Sequence, residues 1–289
     1  MEIVARIESC LEDAIDRATA EQCPPLLAQA VRHAVFPGGA RVRPQLCLSV
    51  AAACSATDEQ IPDAVACAIE MMHCASLVHD DLPCFDDADL RRGKETVHTR
   101  FGEPIAVLVG DALIVEAFNT VSLACAHKPE RIAPLLSCIS RSVGMSGGII
   151  AGQAWESERD VDVHEYHRAK TGSLFVGAVV SGAIATGANP EPWRPLGQKI
   201  GEAYQLADDL LDAAGTQAEC GKPVAQDSSH DRPSAVARLG IEGTMKLLRQ
   251  TVGEAVACIP DCEGAEDLRD LIAAQATRLV PAKLAKAAA

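Results

Sequence analysis

Residues 62–81 read PDAVACAIEMMHCASLVHDD, and this stretch decides the fold class. Proline suits the first position of a helix, and from Ala64 to Val78 the residues are apolar almost all round. A helix that is apolar on every face belongs in a protein core. The apolar run ends at a pair of aspartates, Asp80 and Asp81.

Helical patterns of this kind recur along all 289 residues, with breakers such as Asn189-Pro190 between them. Aromatic residues make up only 3% of the chain, so the core must be built from Ala, Leu, Val and Ile, which suits close-packed helices better than sheets. We therefore expect an all-α protein that forms a single domain over residues 1–289. The expected helices are 3–20, 25–35, 44–54, 62–82, 104–127, 129–153, 163–187, 194–214, 234–257 and 264–286.

The charge balance excludes one class of partner. The chain carries 26 Lys and Arg against 40 Asp and Glu, a formal net charge of −14. Such an acidic chain lacks the basic surface of a general nucleic-acid or anionic-membrane binder. We therefore expect no nucleic-acid partner.

The sequence also favours the cytoplasm. The first residues, MEIVARIESCLEDAIDRA, form a charged amphipathic stretch that does not resemble a signal peptide. The longest uncharged stretch, 171–190, contains four glycines and several hydroxyl side chains, which is typical of a closely packed buried helix and not of a membrane span. The twelve cysteines include no CxxC pair, so we expect reduced thiols and no zinc site.

A first acidic cluster follows the most apolar helix. It comprises Asp80, Asp81, Asp86 and Asp87, and the pair Arg91-Arg92 comes shortly after it. Clustered like charges beside a buried helix repel one another and are costly to desolvate. A cation is therefore expected to offset them.

A second acidic cluster lies within a helical pattern, in the stretch YQLADDLLD (204–212). Gln205, Asp208, Asp209 and Asp212 are spaced i, i+3, i+4 and i+7, so they share one polar face. The other face carries leucines. A row of carboxylates thus lies on a helix that is otherwise typical of a core.

Either cluster alone would be read as a solvated acidic surface, but two of them on apolar helices favour a metal site. Ligands that are all oxygen suit Mg²⁺, which binds through one or two carboxylates together with substrate phosphates. Basic residues near the motifs could complete a diphosphate site. No GxxxxGK[ST] or GxGxxG loop is present, so a nucleotide-binding function lacks support.

The series of motifs resembles the trans-isoprenyl diphosphate synthases, and most of all the geranylgeranyl diphosphate synthases of bacterial carotenoid and bacteriochlorophyll pathways. The matching stretches occur in family order over most of the chain: GGARVRP (38–44), SLVHDDLPCFDDADLRRGKETVH (76–98), FGEPIAVLVGDAL (101–113), GQAWE (152–156), KTGSLF (170–175), GEAYQLADDLLD (201–212) and GKP (221–223). The resemblance implies a helical bundle around a central cavity, usually as a homodimer. It also implies that isopentenyl diphosphate is condensed with an allylic diphosphate.

The resemblance further implies a role for individual residues. Three Mg²⁺ ions would be bound by Asp80, Asp81, Asp86, Asp208, Asp209 and Asp212. Diphosphate and isopentenyl diphosphate would be contacted by Arg41, Arg43, His73, Arg91, Arg92, Lys222 and Arg232. The reacting centre would be lined by Lys170, Thr171 and Gln205, with Lys170 also contacting the diphosphate. Glu156 stands where the family usually has Asp.

Two positions depart from the family pattern. Ala40 replaces the lysine of the GGKR motif, with Arg41 the candidate to compensate for it, and Arg232 stands where a lysine is common. Product length in the family depends on the residues four and five places before the first aspartate motif, here Ser76 and Ala75. Because Ala75 is small, we expect growth to twenty carbons, geranylgeranyl diphosphate.

Several alternatives stay open. The chain could be a farnesyl diphosphate synthase with a different residue closing the cavity. It could also be a non-catalytic subunit that modulates a partner synthase, although the intact aspartates argue against this. A terpene cyclase and a plain helical scaffold are less favoured, because neither accounts for two DDxxD-like motifs.

Overall fold

The computed structural model describes residues 3–20, 22–36, 39–214 and 234–279, and most of these residues are helical. The prediction of an all-α protein is confirmed. The α-helices are α1 (Ile3–Thr19), α2 (Pro25–Val35), α3 (Val42–Ala53), α4 (Gln60–Asp80), α5 (Val97–Phe101), α6 (Glu103–Ala124), α7 (Ile132–Val143), α8 (Ile149–Trp155), α9 (Val163–His167), α10 (Ser173–Thr186), α11 (Arg194–Ala214), α12 (Ala235–Ala257) and α13 (Ala265–Leu279). Short 3₁₀ turns cover Cys125–His127, Pro129–Arg131 and Glu191–Trp193.

Two of the expected long helices are interrupted. The stretch 129–153 contains α7 and α8, separated by a glycine-rich turn in which Gly147 has a φ of +82°. The stretch 163–187 contains α9 and α10, and a single π-helical turn, Arg168–Gly172, lies between them. π-Turns of this kind occur frequently at functional sites. α12 is also kinked, because Gly240 has non-helical backbone angles (φ 69°, ψ 172°).

A small hairpin was not predicted from the sequence. Strands β1 (Leu90–Arg91) and β2 (Lys94–Glu95) pair antiparallel through a two-residue turn. Both turn residues, Arg92 (φ 53°) and Gly93 (φ 77°), have positive φ, as the favoured two-residue hairpin turns require. Two-residue strands are too short to produce a visible alternation of polar and apolar residues.

The chain divides into two compact units. The first comprises Met1–Ser140 and Gly177–Pro190, and the second comprises Arg141–Val176 and Glu191–Ala289. Each unit thus combines two separate stretches of sequence. The single domain expected over 1–289 stays a prediction.

The core of the first unit is built on α4, which packs against α6, α3 and α1. Residues on every face of α4 are buried, from Ile61 to Val78, as the sequence predicted. At its carboxyl end the imidazole of His79 fits against Gly110 of α6, where any Cβ would overlap the ring. The His79 Nε2 atom lies 3.3 Å from the carbonyl of Val107. This contact fixes the end of α4, and with it the first aspartates, against α6.

The small residues of α10 serve close packing, which confirms the prediction for this stretch. A Cβ at Gly182 would overlap the carbonyl oxygen of Cys47 in α3, so the helices approach at backbone distance. Ser181 is completely buried, and its hydroxyl donates to the carbonyl of Gly177. A polar residue in this apolar helix is therefore satisfied locally.

The second unit is organised by α11 and α12. Their shared core consists of Ala203, Ala207, Leu210, Met245 and Leu248. The π-turn lies between α8 and α11, held by two glycines: a Cβ at Gly152 would overlap the backbone of Lys170, and a Cβ at Gly201 would lie 2.7 Å from the Cα of Gly172. These close approaches fix the backbone of the π-turn.

Three of the described helices are long and apolar enough to cross a membrane, by length and composition alone. In Gln60–Asp80 and Val163–Thr186, 78% and 72% of the apolar window is buried inside the protein, but in Glu103–His127 only 39% is buried. α6, which lies in this last stretch, therefore exposes much of its apolar surface.

The eleven described cysteines are all free thiols. Cys47, Cys67, Cys74 and Cys125 are buried, whereas Cys138 and Cys258 are partly exposed. Cys84, in contrast, is exposed within the first aspartate motif.

Candidate active site

The first aspartate motif lies where α4 ends and the chain folds back on itself. Asp80 is the last residue of α4, and the backbone N–H of Asp86 donates to its carbonyl at 2.9 Å. The N–H of Ala88 likewise donates to the carbonyl of Asp81 at 3.1 Å. These bonds keep residues 82–88 in a compact loop. Asp86 is exposed, whereas Asp81 is only 4% exposed.

The hairpin brings Arg91 to Asp81. The guanidinium contacts the carboxylate through Nε (2.8 and 3.0 Å) and Nη2 (2.6 Å). Burial raises the pKa of Asp81, and the charge of Arg91 opposes that rise. Arg91 is thus the cation that the sequence required beside the clustered aspartates.

A second cluster in the first unit joins Gly39, Arg43, His73 and Arg92. Arg43 Nη1 lies 3.4 Å from His73 Nε2, and the guanidinium of Arg92 occupies the space that a Cβ at Gly39 would fill. Burial, together with the charges of Arg43 and Arg92, lowers the pKa of His73 well below its ordinary value. Two guanidinium groups beside one imidazole suit an anionic ligand. Arg43, His73 and Arg92 are the residues that the resemblance assigned to isopentenyl diphosphate.

Arg41 does not belong to that cluster, and its expected substrate contact is not supported. Its side chain has no exposed surface, Nε and Nη1 each donate at 2.7 Å to Glu8 and Glu70, and Nη2 donates to the carbonyl of Val35. Burial works against its charge, yet the two carboxylates outweigh it and raise the pKa of the guanidinium. Arg41 is therefore a structural residue. Ala40 beside it is exposed and brings no cation.

In the second unit the π-turn presents Lys170 to Glu156 of the turn after α8. Lys170 Nζ and the hydroxyl of Tyr166 both lie 2.6 Å from Glu156 Oε1, and the ammonium is 5.9 Å from the centre of the Tyr166 ring. Gln153 Nε2 donates to the other oxygen of Glu156 at 3.3 Å. Glu156 thus holds the ammonium that the resemblance assigns to the diphosphate.

Thr171, Gln205 and Asp209 form a continuous chain of hydrogen bonds. The Thr171 hydroxyl donates to Gln205 Oε1 at 2.9 Å, and Gln205 Nε2 donates to Asp209 Oδ1 at 2.9 Å. The other oxygen of Asp209 accepts from the backbone N–H of Ala235 at 2.6 Å, at the start of α12. We call this chain the Thr171 relay. It borders a cavity of about 1030 Å³ within the second unit, whose lining includes Gln205 and Asp209.

The predicted polar face of α11 is therefore not uniform. Asp208 is exposed and Asp212 is half-buried, but Asp209 is only 4% exposed and each of its oxygens accepts a protein hydrogen bond. Asp209 thus differs from Asp208 and Asp212 in its burial.

The two chain-length residues lie on α4. Ala75 is 2% exposed, and Ser76 is half-buried with its hydroxyl donating to the carbonyl of His73. Lys222 and Arg232, both predicted to contact substrate, lie outside the described residues.

Sequence reasoning missed two features of the site. Tyr166 carries no motif signal, and only the fold brings its hydroxyl to Glu156. The second missed feature is the ion pair between Glu156 and Lys170. Glu156 was recognised from the GQAWE motif, and its negative charge was the signal from which a pairing with Lys170 could have been proposed.

Comparison with known proteins identifies the family. The model of the polyprenyl synthetase family matches residues 24–268, most of the chain. The chain belongs to the polyprenyl synthetase family. The enzyme class expected from the motifs, a prenyltransferase, is thereby confirmed.

Relatives within the polyprenyl synthetase family are similar over nearly their whole length. The geranylgeranyl diphosphate synthase of Cereibacter sphaeroides is 50% identical over 280 residues, and that of Rhodobacter capsulatus is 48% identical, each alignment covering 97% of both chains. Among solved structures, a geranyltransferase from Helicobacter pylori complexed with magnesium and isoprenyl diphosphate superposes with a TM-score of 0.79 at 27% identity, covering 96% of this chain and 98% of that one.

The structural role of Arg41 yields a prediction. Arg41→Met leaves the carboxylate of Glu70 buried without a partner, so we expect the free energy of unfolding to fall by about 3–5 kcal/mol. Urea denaturation followed by circular dichroism measures this. Arg32→Met is the control, because Arg32 pairs with Asp16 on the surface, and such pairs contribute no more than about 1 kcal/mol. If Arg41→Met kept its stability but bound isopentenyl diphosphate more weakly, Arg41 would instead be a substrate-binding residue.

Proposed function

We propose that this protein is a geranylgeranyl diphosphate synthase, which condenses isopentenyl diphosphate with allylic diphosphates up to farnesyl diphosphate and releases diphosphate. The observation that carries the proposal is 50% identity to a bacterial geranylgeranyl diphosphate synthase over 97% of both chains. The side-chain chemistry of the two units is consistent with it.

We propose that the cluster of Gly39, Arg43, His73 and Arg92 binds the diphosphate of isopentenyl diphosphate. Guanidinium groups bind phosphate oxygens through several N–H donors at once, and they keep their charge at any working pH. Gly39 supports this role because its missing side chain leaves room for the guanidinium of Arg92.

We assign the allylic diphosphate to Arg91, Lys170 and Lys222. In the structure Arg91 and Lys170 are each paired with a carboxylate, Asp81 and Glu156. A bound diphosphate would therefore take the place of the carboxylate beside each cation. Such pairs keep the half-buried cations oriented and partnered.

The carboxylates of both aspartate motifs fit Mg²⁺. Their ligand atoms are hard oxygens, which Mg²⁺ prefers. In the loop after α4, a backbone hydrogen bond joins Asp86 to Asp80 and so keeps the two residues close together. Among the described residues no three His, Cys, Asp or Glu side chains are grouped as a ready metal site. This agrees with Mg²⁺, which takes one or two carboxylates and completes its coordination with substrate phosphate and water.

We propose that Asp80, Asp81, Asp86, Asp208 and Asp212 would hold the metal, with three ions expected from the resemblance. We leave out Asp209, which the resemblance also assigns to the metal, because both of its oxygens accept protein hydrogen bonds. When bound, Mg²⁺ would neutralise the diphosphate and so improve it as a leaving group. The Helicobacter pylori relative complexed with magnesium supports this cofactor.

The reaction breaks the allylic C–O bond, forms a carbon–carbon bond from the double bond of isopentenyl diphosphate, and transfers a proton to the departing diphosphate. Lys170 would contact that diphosphate as negative charge develops on it. The Thr171 hydroxyl would face the electron-poor carbon. Apolar residues around the growing chain exclude water, which would otherwise quench the cation.

The assembly and location are proposals as well. We propose a homodimer formed through α6, because this helix exposes four large apolar side chains: Val107, Leu108, Val115 and Leu123. A helix that is apolar on its outer face calls for a covering partner. We also propose a cytoplasmic location, which the free thiols of the described cysteines support. We further propose a product destined for carotenoid-type pathways, as the resemblance implies.

The activity is tested with purified protein, isopentenyl diphosphate and radiolabelled farnesyl diphosphate. We expect a twenty-carbon product with Mg²⁺ and none with excess chelator. Asp80→Ala should lower turnover by about 100-fold or more, because it removes stabilisation of the leaving group. A folded, metal-replete protein without any condensation would instead favour the non-catalytic subunit.

The chain-length assignment is tested by Ala75→Phe. The aromatic ring would fill the space beside the growing chain, so we expect the main product to shorten to fifteen carbons, as judged by chromatography of the dephosphorylated alcohols. Ala52→Phe, at an exposed position of α3, is the matched control. An unchanged product from Ala75→Phe would show that Ala75 does not limit growth.

The dimer is tested by Val115→Asp, which places a charge in the apolar face of α6. We expect sedimentation to show a dimer for the unaltered protein and a monomer for the variant, since a buried unpaired charge costs several kcal/mol. Met145→Asp is the control, because Met145 is 86% exposed outside α6. A dimer that survives the change in Val115 would place the interface elsewhere.

A further inference from the structure

The Thr171 relay has a direction that is set at one end. Asp209 is acceptor-only, so the amide of Gln205 must turn its Nε2 toward the carboxylate. Its Oε1 then faces Thr171, and the threonine hydroxyl has to donate its single proton to it. Only acceptor lone pairs remain on Thr171 Oγ1 for any further partner.

The other end of Asp209 is equally constrained. Its Oδ2 accepts from the backbone N–H of Ala235, the first residue of α12, and a backbone N–H can only donate. Ser234 caps the same helix start by accepting from the N–H of Ala237 at 3.1 Å. A buried anion at a helix amino terminus is stabilised by the unpaired N–H groups there. The fold therefore provides a reason for a carboxylate at 209 that does not involve a metal.

We propose that Asp209 is a positioning residue that keeps the Thr171 hydroxyl an acceptor toward the reacting allylic carbon, acting through Gln205, and that it is not a Mg²⁺ ligand. The inference rests on the proposed function, because it takes Thr171 to face the substrate. An oxygen lone pair held toward a carbon that becomes cationic stabilises the developing charge, whereas a hydroxyl proton in the same place would oppose it.

Asp209→Asn tests the direction of the relay without changing its shape. The new carboxamide must still accept from Ala235, so its NH₂ group faces Gln205. Gln205 then presents its oxygen to that group and its Nε2 to Thr171, and the threonine proton turns toward the substrate. We expect kcat to fall by about 100-fold, comparable with the loss of one preorganised dipole.

Asp208→Asn is the matched control, since Asp208 precedes Asp209 but is exposed. We expect Asp208→Asn to raise the Mg²⁺ concentration that gives half-maximal rate and to weaken calorimetric binding of the unreactive analogue farnesyl thiodiphosphate with Mg²⁺. In Asp209→Asn, the Mg²⁺ concentration for half-maximal rate and the affinity for the analogue should both stay within about twofold of the unaltered protein. This is expected for a residue that does not bind the metal. A raised Mg²⁺ requirement or weakened analogue binding in Asp209→Asn would overturn the proposal.

A double-mutant cycle with Thr171→Val tests whether Asp209 acts through the threonine. Without the hydroxyl, Asp209→Asn should lower kcat by no more than about twofold further, because contacting residues in one network are not additive. Fully additive losses would overturn the proposal.

Gln205→Met provides a second test if Asp209→Asn fails to fold, because it breaks the hydrogen bonds of the Thr171 relay and leaves the contact between Asp209 and α12 in place. An unchanged kcat for Gln205→Met would also overturn the proposal.

The failure of the proposed function would look different. In that case the unaltered protein would neither condense the substrates nor bind the analogue, before any variant is compared. If the unaltered protein turned over normally but Asp208→Asn and Asp209→Asn both needed more Mg²⁺, the proposed function would stand. Only the positioning role of Asp209 would then be rejected.

Discussion

The carboxylates and cations withdrawn from water each require a partner, because an ion buried without one costs several kcal/mol. In the first unit Arg41 is enclosed by Glu8 and Glu70, and Asp81 is paired with Arg91. In the second unit Lys170 is held by Glu156. The arrangement of the site follows from this requirement. The pairs orient the charged groups in advance, so that a diphosphate would meet cations already in place.

The fixed direction of backbone donors is the second constraint. Because the N–H of Ala235 can only donate, the buried carboxylate of Asp209 has a permanent partner at the start of α12. The helix start, the carboxylate, the amide of Gln205 and the hydroxyl of Thr171 then form one ordered sequence of donors and acceptors. The start of α12 and the hydroxyl of Thr171 are thereby linked through two side chains. The π-turn that carries Thr171 is fixed from the other side by the close approach of Gly152.

Much of the fold could be predicted because its signal is local. The apolar run of α4 and the small residues of α10 require burial wherever they lie, and the structure buries both. The break between α7 and α8 was missed although its glycines, Gly147 and Gly148, are a local signal. The π-turn was missed because it depends on the close approach of backbones that are distant in sequence, at Gly152 and Gly201. The hairpin was missed because only two residues pair on each strand. The contacts of Arg41 with Glu8 and Glu70 could not be predicted, since a motif indicates a charge but not whether tertiary contacts enclose it.

The sequence alone determined the all-α class, the two aspartate motifs and the family to which they belong, because these depend on residue type and spacing along single helices. Tertiary structure alone decided which charged groups are used internally and which remain accessible. Asp208 and Asp209 are adjacent and chemically identical, and the sequence gives both the same expected role. They differ because one faces outward and the other meets the start of α12. Solvation and hydrogen-bond partners are properties of position in space, so no spacing rule could separate them.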